Sequence, residues 1–466
     1  MFTRSTIRPM LLVLLLMAAG QGAARTVNVS SAAAVNKTWS AGDTIVFAGG
    51  SYTNQALSLQ GTGTAAQPIV LRAAAAGAVS LGGSSTLTIK GTYIEVQGFR
   101  FSGTYTGKSH VVQFESSATN CRLTDCTIES YNPTDATKDN KWVSIKGKQN
   151  RVDHCSFAGK ANMGTLLVVW LEQNIVPKHR IDHNYFGYRH PNTDEEGKAL
   201  NGQEIIRIGD SSTSMQEAAC VIENNEFENC DGEIETISNK SCGNIYRNNT
   251  FRTCAGSLTL RHGNNCTVEG NIFLGNGKAA TGGVRIIGEG HTVTNNYFQD
   301  LNSNNYRAGI CIVRGKENSA LSEYFQVKNA VVSGNTFVNC KEAFCINYHS
   351  SDECTMPPLN TRIENNIVYN DASNTGNRIV TLAQTGGSVT WNANTYNAGK
   401  WKDYSPSATE WIRDKNMDKP EPATTDTATD RTEIISASCA RKFIRNGLFL
   451  IEIDGNYFTL TGQPVY

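Results

Sequence analysis

Short apolar runs in this chain are punctuated by asparagine and glycine, and the pattern repeats. "ENNEF" at Phe227, "RNNTF" at Phe251, "EGNIF" at Phe273, "TNNYF" at Phe298, "SGNTF" at Phe337 and "ENNIV" at Val368 share the form x-[NG]-N-x-[apolar], usually two residues after Val or Ile. Earlier versions are "DHCSF" at Phe157 and "DHNYF" at Phe186. Spacings of 24, 22 and 25 residues between Phe227, Phe251, Phe273 and Phe298 fit one coil of a stacked solenoid. Longer gaps imply inserted loops. The fold expected is all-β: a right-handed parallel β-helix in which equivalent residues form ladders about 4.8 Å apart, with Phe and Ile inside and Asn at turns.

A strand follows each repeat phenylalanine: "EIETISNK" from Glu233, "SLTLRHG" from Ser257, "GVRIIGEG" from Gly283, "GICIVRG" from Gly309 and "AFCINYH" from Ala343. Alternation of period two turns Ile234, Leu258, Leu260, Val284, Ile286, Ile310 and Ile312 inward. Glu233, Glu235, Ser257, Thr259, Arg261, Arg285 and Asn347 then face outward. One coil earlier, "NGQEIIRIG" turns Ile206 and Ile208 inward and leaves Asn201, Gln203 and Arg207 outside. His262 takes the inward parity if its strand continues, which suits a packed or turn histidine as well as a substrate contact. Carboxylates, amides and arginines thus gather on one sheet.

Composition narrows the setting. With 42 basic and 42 acidic residues the formal charge is zero, so no bulk attraction to nucleic acid is expected and recognition of a polyanion requires a local patch. Residues 1–24 read as a signal peptide: Arg4 and Arg8, an apolar run from Met10 to Ala19, then small residues to Ala24. That run is too short to span a bilayer, so an exported mature chain without a membrane span is expected. The number of cysteines, 13, is odd; Cys230 and Cys254 each follow a repeat Phe by three residues, and Cys242 and Cys266 by fifteen. They read as small buried ladder residues, with Cys345 and Cys354 as the most plausible loop disulfide. The helix is expected over residues 25–400, a Pro- and Thr-rich linker over 401–436, and a small β-hairpin segment over 437–466, turning at Asp454-Gly455.

Two neighbouring carboxylates, Glu233 and Glu235, repel unless a positive charge lies between them or one is protonated. With Asn201 one coil away, a hard cation such as Ca²⁺ suits the oxygen-only donor set. A solvated pair flanked by Lys240 and Arg207 is the plainer alternative. A two-carboxylate glycosidase is a third, disfavoured because side-by-side carboxylates on one strand cannot work from opposite faces of a sugar.

The segments "NGQEIIRIG", "EIETISNKS" and "RHG", in that order on successive coils, resemble the signature segments of polysaccharide lyase family 6, which includes alginate lyases and chondroitinase B. The resemblance covers about residues 26–400. It implies Asn201, Glu233 and Glu235 as Ca²⁺ ligands, Lys240 as the base, Arg261 as the acid, and Arg207, His262 and Arg285 as substrate-binding residues. The implied substrate is an anionic polysaccharide, with alginate favoured over dermatan sulfate; a non-catalytic carbohydrate-binding β-helix is the rival from another class. The chemistry agrees with that set. A uronate proton α to a carboxylate is removed against existing negative charge, which a cation on that carboxylate offsets. Lys240 must be neutral to take it, and Arg261 suits stabilisation of charge at the glycosidic oxygen better than proton donation.

Overall fold

The computed structural model of the chain describes residues 24–422, 441–445, 448–453, 456–459 and 464–465. The expected signal peptide, apart from its last residue, lies outside them. Three parallel sheets of 14 strands each wind around a common core, and every coil contributes one strand to each sheet. The chain is therefore a parallel β-helix.

The repeat motif explains each coil. Its [NG] position is held at positive φ in successive turns: 54° at Asn224, 54° at Asn248, 61° at Gly270, 54° at Asn295, 66° at Gly334 and 58° at Asn365. Asn and Gly are the residues that tolerate this left-handed conformation best. The next residue, always Asn, is buried and bonds to its counterpart one coil on. Asn249 Nδ2 donates to Asn271 Oδ1 at 2.9 Å, and Asn271 Nδ2 to Asn296 Oδ1 at 2.9 Å, while each backbone N–H in the series donates to the same acceptor. Two residues further on, the phenylalanines stack inside. Phe227, Phe251, Phe273, Phe298 and Phe337 have ring centroids 4.5–4.8 Å apart and planes within 15°.

All cysteines among the described residues are free and buried. The expected Cys345–Cys354 bridge is absent: Cys345 stands in register with Cys311 of the preceding coil, and Cys354 contacts Ser350 and Ser351. Stacking places the Cys345 side chain along the ladder rather than toward the loop.

The helix also continues past residue 400. Lys400–Lys402 and Trp411–Arg413 add a last strand to two of the sheets. Trp391, Tyr396, Trp401, Tyr404 and Trp411 pack together over the open end of the core, with centroids 5.2–6.3 Å apart. Aromatic closure supplies a reason for order where no coil-length repeat remained to be read. Further on, Arg441–Arg445, Leu448–Ile453, Asn456–Thr459 and Pro464–Val465 form a four-stranded antiparallel sheet in which Ile453 pairs with Asn456; the expected turn residues Asp454 and Gly455 lie outside the described residues. Among the described residues no helix is long and apolar enough to cross a membrane.

Candidate active site

Arg207, Glu235, Lys240, Arg261, His262 and Arg285 gather on one sheet, on the strands Ile206–Ile208, Glu235–Lys240, Ser257–His262 and Val284–Ile286, while Asn201 and Glu233 lie in the loops that lead into the first two. Arg207 is in register with Ser238, Ser238 with Thr259, and Thr259 with Arg285, so a column of polar positions crosses four coils.

Two irregularities in the pairing of Glu235–Lys240 with Ser257–His262 shape the site. Glu235 opposes Ser257 and Ile237 opposes Leu258, leaving Thr236 as an extra residue. At the other end Asn239 opposes Leu260 and Lys240 opposes His262, leaving Arg261 extra. Such bulges re-aim side chains. They correct the strict alternation expected for this stretch. Ile234 precedes the strand and is 36% exposed rather than inward, and Ile237 fills the core position. Gln203 is buried as well: its side chain fastens the preceding loop by accepting from Asn192 N–H at 2.7 Å and donating to Leu200 O at 2.8 Å.

Glu233 and Glu235 are 7% and 8% exposed. Gly202 N–H donates to Glu233 Oε2 at 3.1 Å, bringing the chain next to exposed Asn201 against that carboxylate. Glu235 accepts from Ser238 Oγ and forms a salt bridge with Arg285, whose guanidinium lies 5.9 Å from the Tyr306 ring. Burial, then the charges of Glu204 and Glu235, push the Glu233 carboxyl up to about 8. Lys240 Nζ lies 3.9 Å from Glu204 Oε1, and Glu204 Oε2 accepts from Thr165 Oγ1 at 2.7 Å.

Arg261 donates from Nη1 to Glu323 O at 2.9 Å and from Nη2 to Ser322 O at 3.3 Å. His262 is buried, with Nε2 3.4 Å from Ser211 Oγ, and burial together with Arg261 and Lys240 pushes its imidazole down to about 3. It is neutral at ordinary pH. Arg207 is half-buried, 5.2 Å from the Trp170 ring, and Trp170 Nε1 donates to Ser144 Oγ at 2.9 Å.

Glu235 pairs with Arg285 and Glu204 with Lys240, whereas the buried Glu233 carboxylate has no ion pair among the described residues and would gain most from a hard cation. Among the described residues no three His, Cys, Asp or Glu side chains converge to hold a metal. Glu204 does not complete a trio with Glu233 and Glu235.

Glu204, Tyr306 and Tyr324 were not anticipated. Glu204 has the inward parity of Ile206 and Ile208, and an acid at an inward position was itself a signal of a special environment. The two tyrosines lie in the loops on either side of the strand Ile310–Val313, outside the stretch whose alternation was read.

Comparison with known proteins places the fold in a known family. The family model described as Chondroitinase B matches residues 27–413. Among solved structures, the PL6 family alginate lyase AlyGC is 33% identical over 84% of this chain, with a TM-score of 0.78. This chain spans only about half of that enzyme, 53% of its length. A mannuronic acid specific polysaccharide family 6 lyase from human gut microbiota is 28% identical, with 88% of this chain and 94% of that one covered and a TM-score of 0.73. A PL6 family polysaccharide lyase from Pseudopedobacter saltans is 27% identical, with 84% and 97% covered and a TM-score of 0.68. A search of curated proteins by sequence found no match. The chain belongs to the chondroitinase B family, polysaccharide lyase family 6.

Proposed function

We propose that this protein is an exported, Ca²⁺-dependent lyase that cleaves a polyuronate, with alginate the favoured substrate, by β-elimination. The observation that carries the reading is the grouping of Lys240, Arg261 and His262 beside the buried Glu233–Glu235 pair on adjoining strands of one sheet. A purely binding β-helix would have no need of a lysine and an arginine next to buried carboxylates. The alginate preference rests on family 6 relatives whose names include alginate or mannuronic acid. Export rests on the signal peptide expected over residues 1–24.

Glu233, Glu235 and Asn201 would hold the cation. When bound, Ca²⁺ would supply positive charge for the uronate carboxylate as its α-proton is withdrawn. Lys240, as the neutral amine, takes that C5 proton. The electron pair released forms the C4–C5 double bond, and the C4–O bond breaks toward the leaving sugar. Arg261 meets the charge on the leaving oxygen, a stabilisation worth most in a site that excludes water. Arg207 and Arg285 bind uronate carboxylates, and the neutral His262 donates or accepts one hydrogen bond according to its tautomer.

Chelation tests the metal requirement. Exhaustive treatment with EDTA should abolish cleavage of alginate, and Ca²⁺ should restore it. Full activity after chelation, together with unchanged activity in Glu233→Ala and Glu235→Ala, would refute it. Faster cleavage of dermatan sulfate than of alginate would move the substrate assignment to the chondroitinase branch.

A further inference from the structure

Arg261 carries its charge without an anionic partner. Among the described residues no carboxylate forms an ion pair with it, and its two side-chain to backbone bonds go to neutral carbonyls, Glu323 O and Ser322 O. Both carbonyls belong to residues 315–325, a loop inserted between two coils. Tyr324 of the same loop lies with its ring centroid 4.2 Å from the guanidinium carbon.

The loop is closed at its base and tied at its tip. Lys316 N–H donates to Tyr324 O at 2.8 Å, and Gly315 and Met356 exchange two backbone bonds of 2.8 Å. Lys316 Nζ pairs with Glu323 and, at 2.6 Å, with Glu353. Ser214 Oγ donates to Leu321 O at 3.1 Å, and Tyr324 packs against the apolar cluster of Ile287, Ala308, Cys311, Val313 and Cys345. The nearest acid in the loop, Glu323, is occupied by Lys316 and gives Arg261 only its carbonyl.

We propose that residues 315–325 form a strap that orients Arg261, and that Tyr324 is a positioning residue acting through its ring rather than its hydroxyl. The inference rests on the role given to Arg261 above. A group that stabilises charge only in the transition state needs both a fixed direction and its full charge. Carbonyls and an aromatic face give direction without cancelling charge, whereas a carboxylate partner would cancel it.

Kinetics of Tyr324→Ala and Tyr324→Phe test the proposal. Tyr324→Ala should lower kcat by about 10- to 100-fold with KM nearly unchanged, because a misaimed group costs mainly in the chemical step. Tyr324→Phe should keep wild-type kcat. In an Arg261→Lys background, Tyr324→Ala should add little further loss, since both changes remove one interaction. Lys316→Gln, which frees Glu323 to pair with Arg261, should also lower kcat, and Lys316→Arg should restore it. Loss in Tyr324→Phe equal to that in Tyr324→Ala, or full additivity with Arg261→Lys, overturns the proposal. One readout needs no turnover: the Arg261 Nε–H resonance in nitrogen-15 spectra of the free protein should shift or broaden in Tyr324→Ala and not in Tyr324→Phe. An unaltered resonance in both variants overturns the strap even in an active lyase. A perturbed resonance with no turnover by wild type would instead strike at the enzymatic reading.

Discussion

Glu235 and Arg285, two strands apart on the same sheet, are joined by a salt bridge, so a cation bound as proposed would compete with Arg285 for one carboxylate. Removing the competitor should favour the metal. Arg285→Gln should bind Ca²⁺ more tightly than wild type by calorimetry, while its KM for the polymer rises because a uronate-binding cation is lost. Weaker Ca²⁺ binding in Arg285→Gln would contradict the competition.

The position of Glu233 sets a pH dependence. Its carboxyl is raised from the usual 4.5 to about 8, so in the metal-free protein it holds a proton near neutrality. Ca²⁺ bound there as proposed would have to displace that proton, and affinity should rise with pH until about 8 and then level off. Without metal the sign for stability is the reverse. The folded state binds the proton more tightly than the unfolded chain, so this group's contribution is greatest below about pH 4 and is lost as pH rises toward 8. Thermal melts in EDTA and in Ca²⁺ across that window check both signs. Glu233→Gln should flatten the EDTA series.

A base contributes only to the chemical step. Lys240→Ala should therefore lower kcat by about 10² to 10⁴ and leave binding of an alginate oligosaccharide near normal. Raising the pH should not rescue the variant. Near-normal turnover in a folded Lys240→Ala protein would assign the proton transfer to another group.

The ladders make a stability prediction independent of function. Phe251 is 4% exposed and stacks on Phe227 and Phe273 at 4.6 and 4.5 Å. Phe251→Ala should cost about 3–5 kcal/mol through lost burial and a cavity. Denaturant melts measure it, and a cost below about 1 kcal/mol would deny the stack its place in the core.

Much of this architecture was legible in the sequence because it is periodic. The [NG]-N motif encodes a left-handed residue followed by a ladder asparagine, and the Phe two residues on marks the core, so a coil can be read from a few letters. Alternation along the next strand placed Arg261 and Arg285 on one outer face, whereas Lys240, with the parity of Ile234, came only from the family resemblance. Alternation failed at Ile234 and left His262 undecided because bulges at Thr236 and Arg261 insert a residue and change the facing of what lies beyond them. Nothing in the local sequence marks a bulge. Tyr306 and Tyr324 were hidden for a different reason: they reach the site from the loops before and after the strand Ile310–Val313, where position is set by long-range contacts rather than by the repeat. The end of the helix was read too early because Trp401 and Trp411 close it by packing, without the motif.

The most direct test is the near-ultraviolet absorbance of the reaction, since elimination alone creates the conjugated C4–C5 double bond of an unsaturated uronate. Purified protein with Ca²⁺ should generate that absorbance on mannuronate-rich or guluronate-rich alginate, and Lys240→Ala should not. New reducing ends without the absorbance would mean hydrolysis, and binding of alginate with neither signal in a folded, Ca²⁺-loaded protein would mean a non-catalytic β-helix; either result contradicts the account.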